Sequence, residues 1–417
     1  MTASQAGLSP ADDSLETVEA LRERLSRYPA ARYPIQHATA SFHLGLALTN
    51  AGRLSEAAEA LEHAAALFDQ RLLAEHARSL NALGAVHRLE TRYADAARAF
   101  RRAADEFKQA DLPRDLGAAL YNLGLVQREA GEAAAAAAAF RRAAAIFKEK
   151  DVGARAAAVR ELGITLLGQG LRDPAVEALT EAVALAEGAG DMRGAGAAAN
   201  GLGIALLACG RPEAAVESFS QSAAANPRRL RPAEYAMAKA NLALAYTELG
   251  NTTRARLAAG QALAVEQASE PVRSQAAAVL AGIAPGAGPG AVLAVLLKEP
   301  LQTWPGILRE EMMRWSDLDA SALADELAAW IAGQVADERE ADLAEALVGA
   351  LLELRPEETE KIIRALLEVL IRQPPITGDR FRSQLVTAIS RFRSPQSERL
   401  TEIINHVATQ LGQEASW

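Results

Sequence analysis

A leucine followed by a small residue recurs in this sequence at steps of 39 or 40 residues. The copies of this anchor are Leu44-Gly45, Leu83-Gly84, Leu123-Gly124, Leu162-Gly163, Leu202-Gly203 and Leu242-Ala243. A fixed period in this range is typical of repeat proteins, in which each copy is a supersecondary unit whose hydrophobic face is covered by the next copy. The period therefore predicts a stack of six similar units.

The composition favours helices for these units. Half of the residues are hydrophobic but only 5% are aromatic. Most of the apolar residues are alanine and leucine, which are strong helix formers and lack the branching at Cβ that favours strands. We therefore expect an all-α protein.

Charge and cysteine content restrict the partners and the compartment. The formal net charge is −9, so a general attraction to nucleic acid or to an anionic membrane is not expected. The single cysteine, Cys209, has no partner for an internal disulfide, which fits a reducing compartment. The segment from Met1 to Asp13 does not resemble a secretory signal, and the apolar runs are shorter than a membrane span needs. These features predict a soluble cytoplasmic protein.

Each copy contains the pattern of two helices joined by a turn. In the third copy, Leu123 is part of the anchor and Leu120 lies three residues before it. Both share one face of a first helix with position +3, counted from the small residue. Ala136 at +12 and Phe140 at +16 follow on a second helix, where a small residue against a large one lets the two helices interlock. The turn is marked at +7 by Gly52, Gly131, Gly170, Gly210 and Gly250.

This pattern resembles the tetratricopeptide repeat (TPR) family from about Ala38 to Ala268. The tryptophan of the family consensus is absent, and the period of about 40 exceeds the common 34. The longer period resembles variants in kinesin light chains, in spindle-orientation adaptors and in bacterial peptide-sensing regulators. The resemblance implies a right-handed superhelical α-solenoid of helix-turn-helix repeats with a concave groove lined by the first helices.

The predicted domain organisation has five parts. They are a disordered N-terminus (1–13), an N-terminal capping helix (14–37), six TPR-like repeats (38–283), a Gly/Pro linker (284–290) and a C-terminal helical domain (291–417). The last part resembles no family that we recognise, and either a separate bundle or a degenerate continuation of the solenoid fits its pattern. We expect Trp304, Trp315 and Trp330 to anchor its core.

The candidate binding face lies on the first helices. Positions −6, −3, +1 and +4 fall on a different face from the packed positions, and the family resemblance places that face in the groove. The polar residues selected by this count are Arg78, Asn81, Arg88, Tyr121, Arg128, Arg160 and Asn200. Guanidinium groups bind carboxylates in two-point hydrogen bonds, and asparagine can pair with both polar groups of a peptide backbone. The alternative is that these arginines are simply solvated surface charges.

His87 and Gln127 occupy position +3, which is packed in other copies. They are either a buried hydrogen-bonded pair between adjacent repeats or a polar site with a catalytic or ligand-gating role. Five of the six histidines fall between His37 and His87, but on different helical faces, so we expect no metal site. No phosphate-binding loop or nucleophile elbow is present, and we predict neither a cofactor nor a catalytic residue.

The sequence thus favours a non-enzymatic scaffold or adaptor whose groove binds a protein or peptide partner, including one with acidic groups. A peptide- or metabolite-responsive regulator is a second hypothesis. A third is an enzyme, or an enzyme accessory in a biosynthetic pathway, with a pocket between the repeats and the C-terminal helices. The C-terminal helices also offer a surface for homo-oligomerisation.

Overall fold

A computed structural model describes residues 17–68, 72–147, 151–283 and 290–413. The predicted disordered segment 1–13, the start of the predicted capping helix at Ser14 and residues 284–289 of the predicted linker lie outside the described residues. The chain forms two compact units, Met1–Ala225 and Asn226–Trp417.

The first unit is a series of antiparallel helix pairs. Its described helices are α1 (Val18–Arg27), α2 (Pro34–Asn50), α3 (Leu54–Phe68), α4 (Leu73–Leu89), α5 (Tyr93–Gln109), α6 (Pro113–Glu129), α7 (Ala133–Ile146), α8 (Val152–Gly168), α9 (Arg172–Gly188), α10 (Met192–Ala208) and α11 (Pro212–Ala225). Each helix packs mainly on the one before it and the one after it. The pairs from α2–α3 to α10–α11 are the first five copies of the repeat, so the predicted helical solenoid fold is confirmed.

The anchor glycine of each of these copies lets its two helices approach closely. A Cβ added to Gly124 would lie 2.7 Å from the ring of Phe140, the large residue at +16. The sixth copy carries a Cβ at its anchor, Ala243, and has the small Ala259 at +16; both are fully buried. The size of the anchor residue and the size of the residue at +16 therefore change together.

Helix α1 covers the first pair. The Thr17 hydroxyl accepts a hydrogen bond from the Ala20 amide at 3.2 Å and caps the helix. Leu21 is 2% exposed and joins the core cluster that contains Leu48 and Leu61. Val18 and Leu25 also pack against this cluster, so the cap and three apolar residues fix a short helix whose other face is solvated.

The second unit begins with the sixth copy and continues into helices of a different packing pattern. Its described α-helices are α12 (Pro232–Glu248), α13 (Thr252–Leu263), α14 (Glu270–Gly282), α15 (Ala291–Leu296), α16 (Trp304–Asp317), α17 (Ala320–Ala336), α18 (Glu340–Leu352), α19 (Pro356–Arg372), α20 (Pro375–Ile389) and α21 (Ser394–Gln410). From α16 onward each helix packs mainly on the helix after next, for example α16 on α18 and α17 on α19. Trp304, Trp315 and Trp330 are at most 1% exposed in the core of these helices, and the last two pack edge to face with ring centroids 6.1 Å apart.

Candidate functional site

The predicted binding residues share one surface of the first unit. Asn122 Nδ2 on α6 donates a hydrogen bond to Asn81 Oδ1 on α4 at 3.3 Å. Arg78 Nη2 on α4 lies 3.9 Å from Asp115 Oδ2 on α6. These contacts join the first helices of neighbouring copies directly. We call this face, formed by positions −6, −3, +1 and +4 of α4, α6, α8 and α10, the first-helix surface.

Three arginines of this surface form a cluster with two carboxylates. Arg88 Nε on α4 donates to both carboxylate oxygens of Glu129 on α6, at 3.1 and 2.9 Å. Arg128 on α6 donates to Glu161 Oε2 on α8, and Arg160 Nη2 donates to Oε1 of the same carboxylate at 2.8 Å. We call these five residues the arginine cluster. Its ion pairs join α4 to α6 and α6 to α8, and so connect three successive copies.

Glu161 is the buried centre of the arginine cluster. Its side chain is only 9% exposed. Burial by itself would raise its pKa, but the charges of Arg160 and Arg128 and their hydrogen bonds outweigh burial and hold the pKa below the usual value. Burial would likewise lower the pKa of Arg160, yet Glu161 raises it above the ordinary value. Glu161 and Arg160 are therefore both charged at neutral pH.

Tyr121 packs beside the cluster. Its ring lies edge-on to Phe140, with centroids 5.7 Å apart. Burial and the negative charge of Glu161 raise the pKa of the phenol, while Arg160 and Arg128 lower it in part. The hydroxyl is consequently protonated at neutral pH and can donate a hydrogen bond to an anionic group.

The arginine cluster has more positive than negative charge. Its three guanidinium groups share the carboxylates of Glu129 and Glu161, which leaves one positive charge in excess. Asp191 also acts on Arg160 through its charge, but Asp191 Oδ1 accepts the amide of Gly194 at 2.8 Å as the cap of α10. A further carboxylate brought to the surface would complete the pairing of the guanidinium groups.

The structure brings some predicted site residues together and separates others. Arg88, Tyr121, Arg128 and Arg160 meet at the arginine cluster. Arg78 instead lies against Asp115 in the first turn of α6, and Asn81 accepts a hydrogen bond from Asn122 in the middle of that helix. Asn200 lies on α10 and is 7% exposed.

Sequence reasoning missed Glu129 and Glu161. A search for opposite charges about one period apart would have found Glu129, which follows Arg88 by 41 residues.

His87 and Gln127 are both buried, at 5% and 6% exposed. His87 Nδ1 lies 3.4 Å from Glu90 Oε2, and Gln127 Oε1 has no hydrogen-bond partner within the described part of the chain. Gln127 Oε1 therefore accepts no hydrogen bond from His87, whose Nδ1 faces Glu90 at the end of its own helix.

Among the described residues no three His, Cys, Asp or Glu side chains are arranged to hold a metal ion. None of the described helices has the length and apolar character needed to cross a membrane. In the second unit a cleft of about 510 Å³ is lined by Arg228, Arg229 and Arg355, whose guanidinium groups pair with Asp317 or Glu358.

Comparison with known proteins extends the description of the fold. No family model and no curated protein matches the sequence. Similar solved structures include BtubC from P. vanneervenii, with 16% identity over 57% of this chain and 93% of that chain and a TM-score of 0.45. Another is pilF of Pseudomonas aeruginosa, with 16% identity, 58% and 97% coverage and a TM-score of 0.44. A third is YrrB, described as a TPR protein with an unusual peptide-binding site, with 19% identity, 51% and 94% coverage and a TM-score of 0.36. The likeness concerns the fold alone.

Proposed function

We propose that this TPR-like solenoid is a non-enzymatic scaffold or adaptor that binds a segment of a partner protein on the first-helix surface. The arginine cluster is the observation that carries the proposal. Three guanidinium groups from three successive copies converge there on two carboxylates. The side chains of Arg88 and Arg128 are 36% and 32% exposed, so an incoming carboxylate can reach them.

The chemistry of the surface supports a peptide partner with an acidic group. Guanidinium pairs with carboxylate more strongly than neutral groups pair with one another. Asn81, beside the cluster, offers an amide that can bind a peptide backbone. The helices are already ordered by their own packing, so binding requires little ordering of the surface itself. A regulator that senses a peptide would use the same surface.

The proposal includes a cytoplasmic location and a contact made by the C-terminal helices. The lone Cys209 is compatible with the cytoplasm, where thiols stay reduced. Ile371 and Ile376 in the C-terminal helices are 63% and 84% exposed, which supports the proposal that these helices contact another protein or a second copy of this chain.

Reversal of one charge tests the proposal. Arg88→Glu breaks the pair with Glu129 and puts a negative charge where a partner carboxylate would bind. Arg155→Glu is the matched control, because it breaks a similarly exposed pair with Glu181 away from the first-helix surface. We expect Arg88→Glu to reduce capture of partner proteins from a lysate of the source cells about tenfold, whereas Arg155→Glu captures them as the wild type does.

Far-ultraviolet circular dichroism should be the same for all three proteins, since both substituted pairs are exposed and contribute little to stability. Equal capture by the wild type and by Arg88→Glu would show that the arginine cluster is not part of the binding site.

A further inference from the structure

A patch of aliphatic side chains continues the first-helix surface beyond the arginine cluster. It consists of Ile164 and Leu167 on α8 and Ile204 and Leu207 on α10, at positions +1 and +4 of the fourth and fifth copies. Ile164 is 38% exposed and Ile204 is 42% exposed. We call these four residues the aliphatic patch.

The patch is continuous across the two helices. Helices α8 and α10 approach each other more closely than the other neighbouring first helices of the unit. At Gly201 of α10, a built Cβ would lie 3.9 Å from Cγ1 of Ile164, which is an ordinary contact distance. The side chain of Ile164 thus extends to the backbone of α10, one turn before Ile204.

The character of the surface changes between α6 and α8. At position +4, Arg88 and Arg128 of the second and third copies are followed by Leu167 and Leu207 of the fourth and fifth. Arg160 lies four residues before Ile164 on the same face of α8. The arginine cluster therefore adjoins the aliphatic patch, and a short segment can contact both.

Stacking of the repeats does not account for the patch. The copies pack through positions −4, −1 and +3, where Val159 and Leu166 of α8 are 4% and 3% exposed. Leu167 packs partly against that core, but Ile164 and Ile204 remain 38% and 42% exposed, so these two large side chains gain little from the fold. Isolated exposed aliphatic residues are common, but a contiguous set beside charged groups is typical of an interaction surface.

We infer that the occupant is a segment of a partner protein in which an acidic side chain lies next to two or more large aliphatic or aromatic side chains. The inference rests on the proposed function and specifies its ligand. The arginine cluster binds the acidic side chain and sets the position of the segment. The aliphatic patch binds the apolar side chains, whose removal from water supplies a large part of the affinity.

A random 12-residue peptide library displayed on phage, selected on the immobilised full chain, provides the probe. We expect the enriched peptides to share one Asp or Glu near two or more of Leu, Ile, Met, Phe or Trp. A fluorescent synthetic peptide of that consensus is then titrated with the wild type and three variants.

Ile164→Ser with Ile204→Ser removes aliphatic surface without adding charge, and should weaken binding at least tenfold. Arg88→Glu should weaken it as well. Leu230→Ser, at a leucine that is 74% exposed in the second unit, is the matched control and should leave it unchanged.

The possible outcomes separate the inference from the proposed function. Enriched peptides with acidic residues alone, bound equally by the wild type and by the double serine variant but not by Arg88→Glu, would overturn the inference and leave the proposed function in place. No enrichment, or binding that neither set of substitutions changes, would overturn both. A dimer in light scattering that the double serine variant dissociates would assign the patch to self-association and overturn the inference.

Discussion

At the scale of single residues, Glu161 is the buried carboxylate that holds two arginines of the proposed binding surface in place. Its carboxylate is buried between Arg128 and Arg160, which come from different helices. A buried carboxylate is stabilising only where its partners compensate for lost hydration. Here two guanidinium groups do so, and the same two groups carry the excess charge that a partner would use.

We predict that Glu161→Gln lowers the free energy of unfolding at pH 7 by about 2 kcal/mol, because two partly buried guanidinium groups lose their shared carboxylate. The folded-state pKa of Glu161 lies below its ordinary value of 4.5. Its stabilising contribution is therefore complete above pH 4.5 and is lost as the pH falls through the folded pKa. Urea unfolding of both proteins at a series of pH values should show a difference that shrinks below pH 4.5.

Glu56→Gln is the control for this prediction. Glu56 also has a lowered pKa, chiefly through its hydrogen bond with Arg53, but its side chain is 45% exposed. Solvent screens such a pair, so the change in stability should be far smaller. A Glu161→Gln difference that stays constant from pH 7 to pH 3 would show that the charge of Glu161 does not stabilise the fold.

The sequence predicted part of this site and not its centre. Counting from the anchor selects a helical face, and that is enough to find Arg88, Arg128 and Arg160. It does not show how deeply a residue at the edge of that face is buried. Position −2 holds Glu161 in the fourth copy but Asn122 in the third, and a glutamate there would be solvated if guanidinium groups from two helices did not cover it.

At the scale of elements, the turn between the two helices of a copy depends on one residue at +7. Gly131 adopts a φ of 81° in the third copy, in the left-handed region where glycine has no steric penalty. The second copy has Thr91 at this position with a φ of 60°. A β-branched residue in that region is strained, and the surrounding helix pair must hold it there.

We predict that Thr91→Gly raises the free energy of unfolding by about 1 kcal/mol, because it relieves the left-handed conformation that threonine tolerates poorly. Thermal and urea unfolding measure the change. Thr91→Ala is the control, since alanine keeps a Cβ and should give little of the gain. A Thr91→Gly protein no more stable than the wild type would mean that the turn is not strained.

The helix pairs were predictable because the same signal is repeated six times, so a departure in one copy does not hide the pattern. Thr91 in place of the turn glycine is such a departure. The arrangement after α15 was not predictable in this way. No period continues there, and the packing depends on contacts between buried side chains of different helices, such as Trp315 on α16 and Trp330 on α17.

At the scale of the whole molecule, the two units differ in how their stability is built. In the first unit each helix depends on its nearest neighbours, so its stability approximates a sum of local terms. In the second unit a large cluster of buried side chains connects helices from α15 to α21. A substitution at an anchor glycine of the first unit should therefore change the unfolding midpoint most in a measurement whose signal comes partly from the helices of the first unit.

We predict that Gly203→Ala lowers the midpoint of unfolding followed by circular dichroism, which reports the helices of both units. The added Cβ collides with the ring of Phe219 on α11 and should cost about 1–3 kcal/mol. Gly153→Ala is the control: nothing lies within 4 Å of its added Cβ, so the better helix propensity of alanine should stabilise the protein by up to about 1 kcal/mol.

The tryptophans provide the second probe, because all four follow residue 303 and the three described ones are buried in the second unit. The clash at Gly203 involves only first-unit residues, so the midpoint from tryptophan emission should stay at the wild-type value while the midpoint from circular dichroism falls. An equal fall in both midpoints would show that the two units unfold as one cooperative structure, and the stability of the repeats would then no longer be a local property.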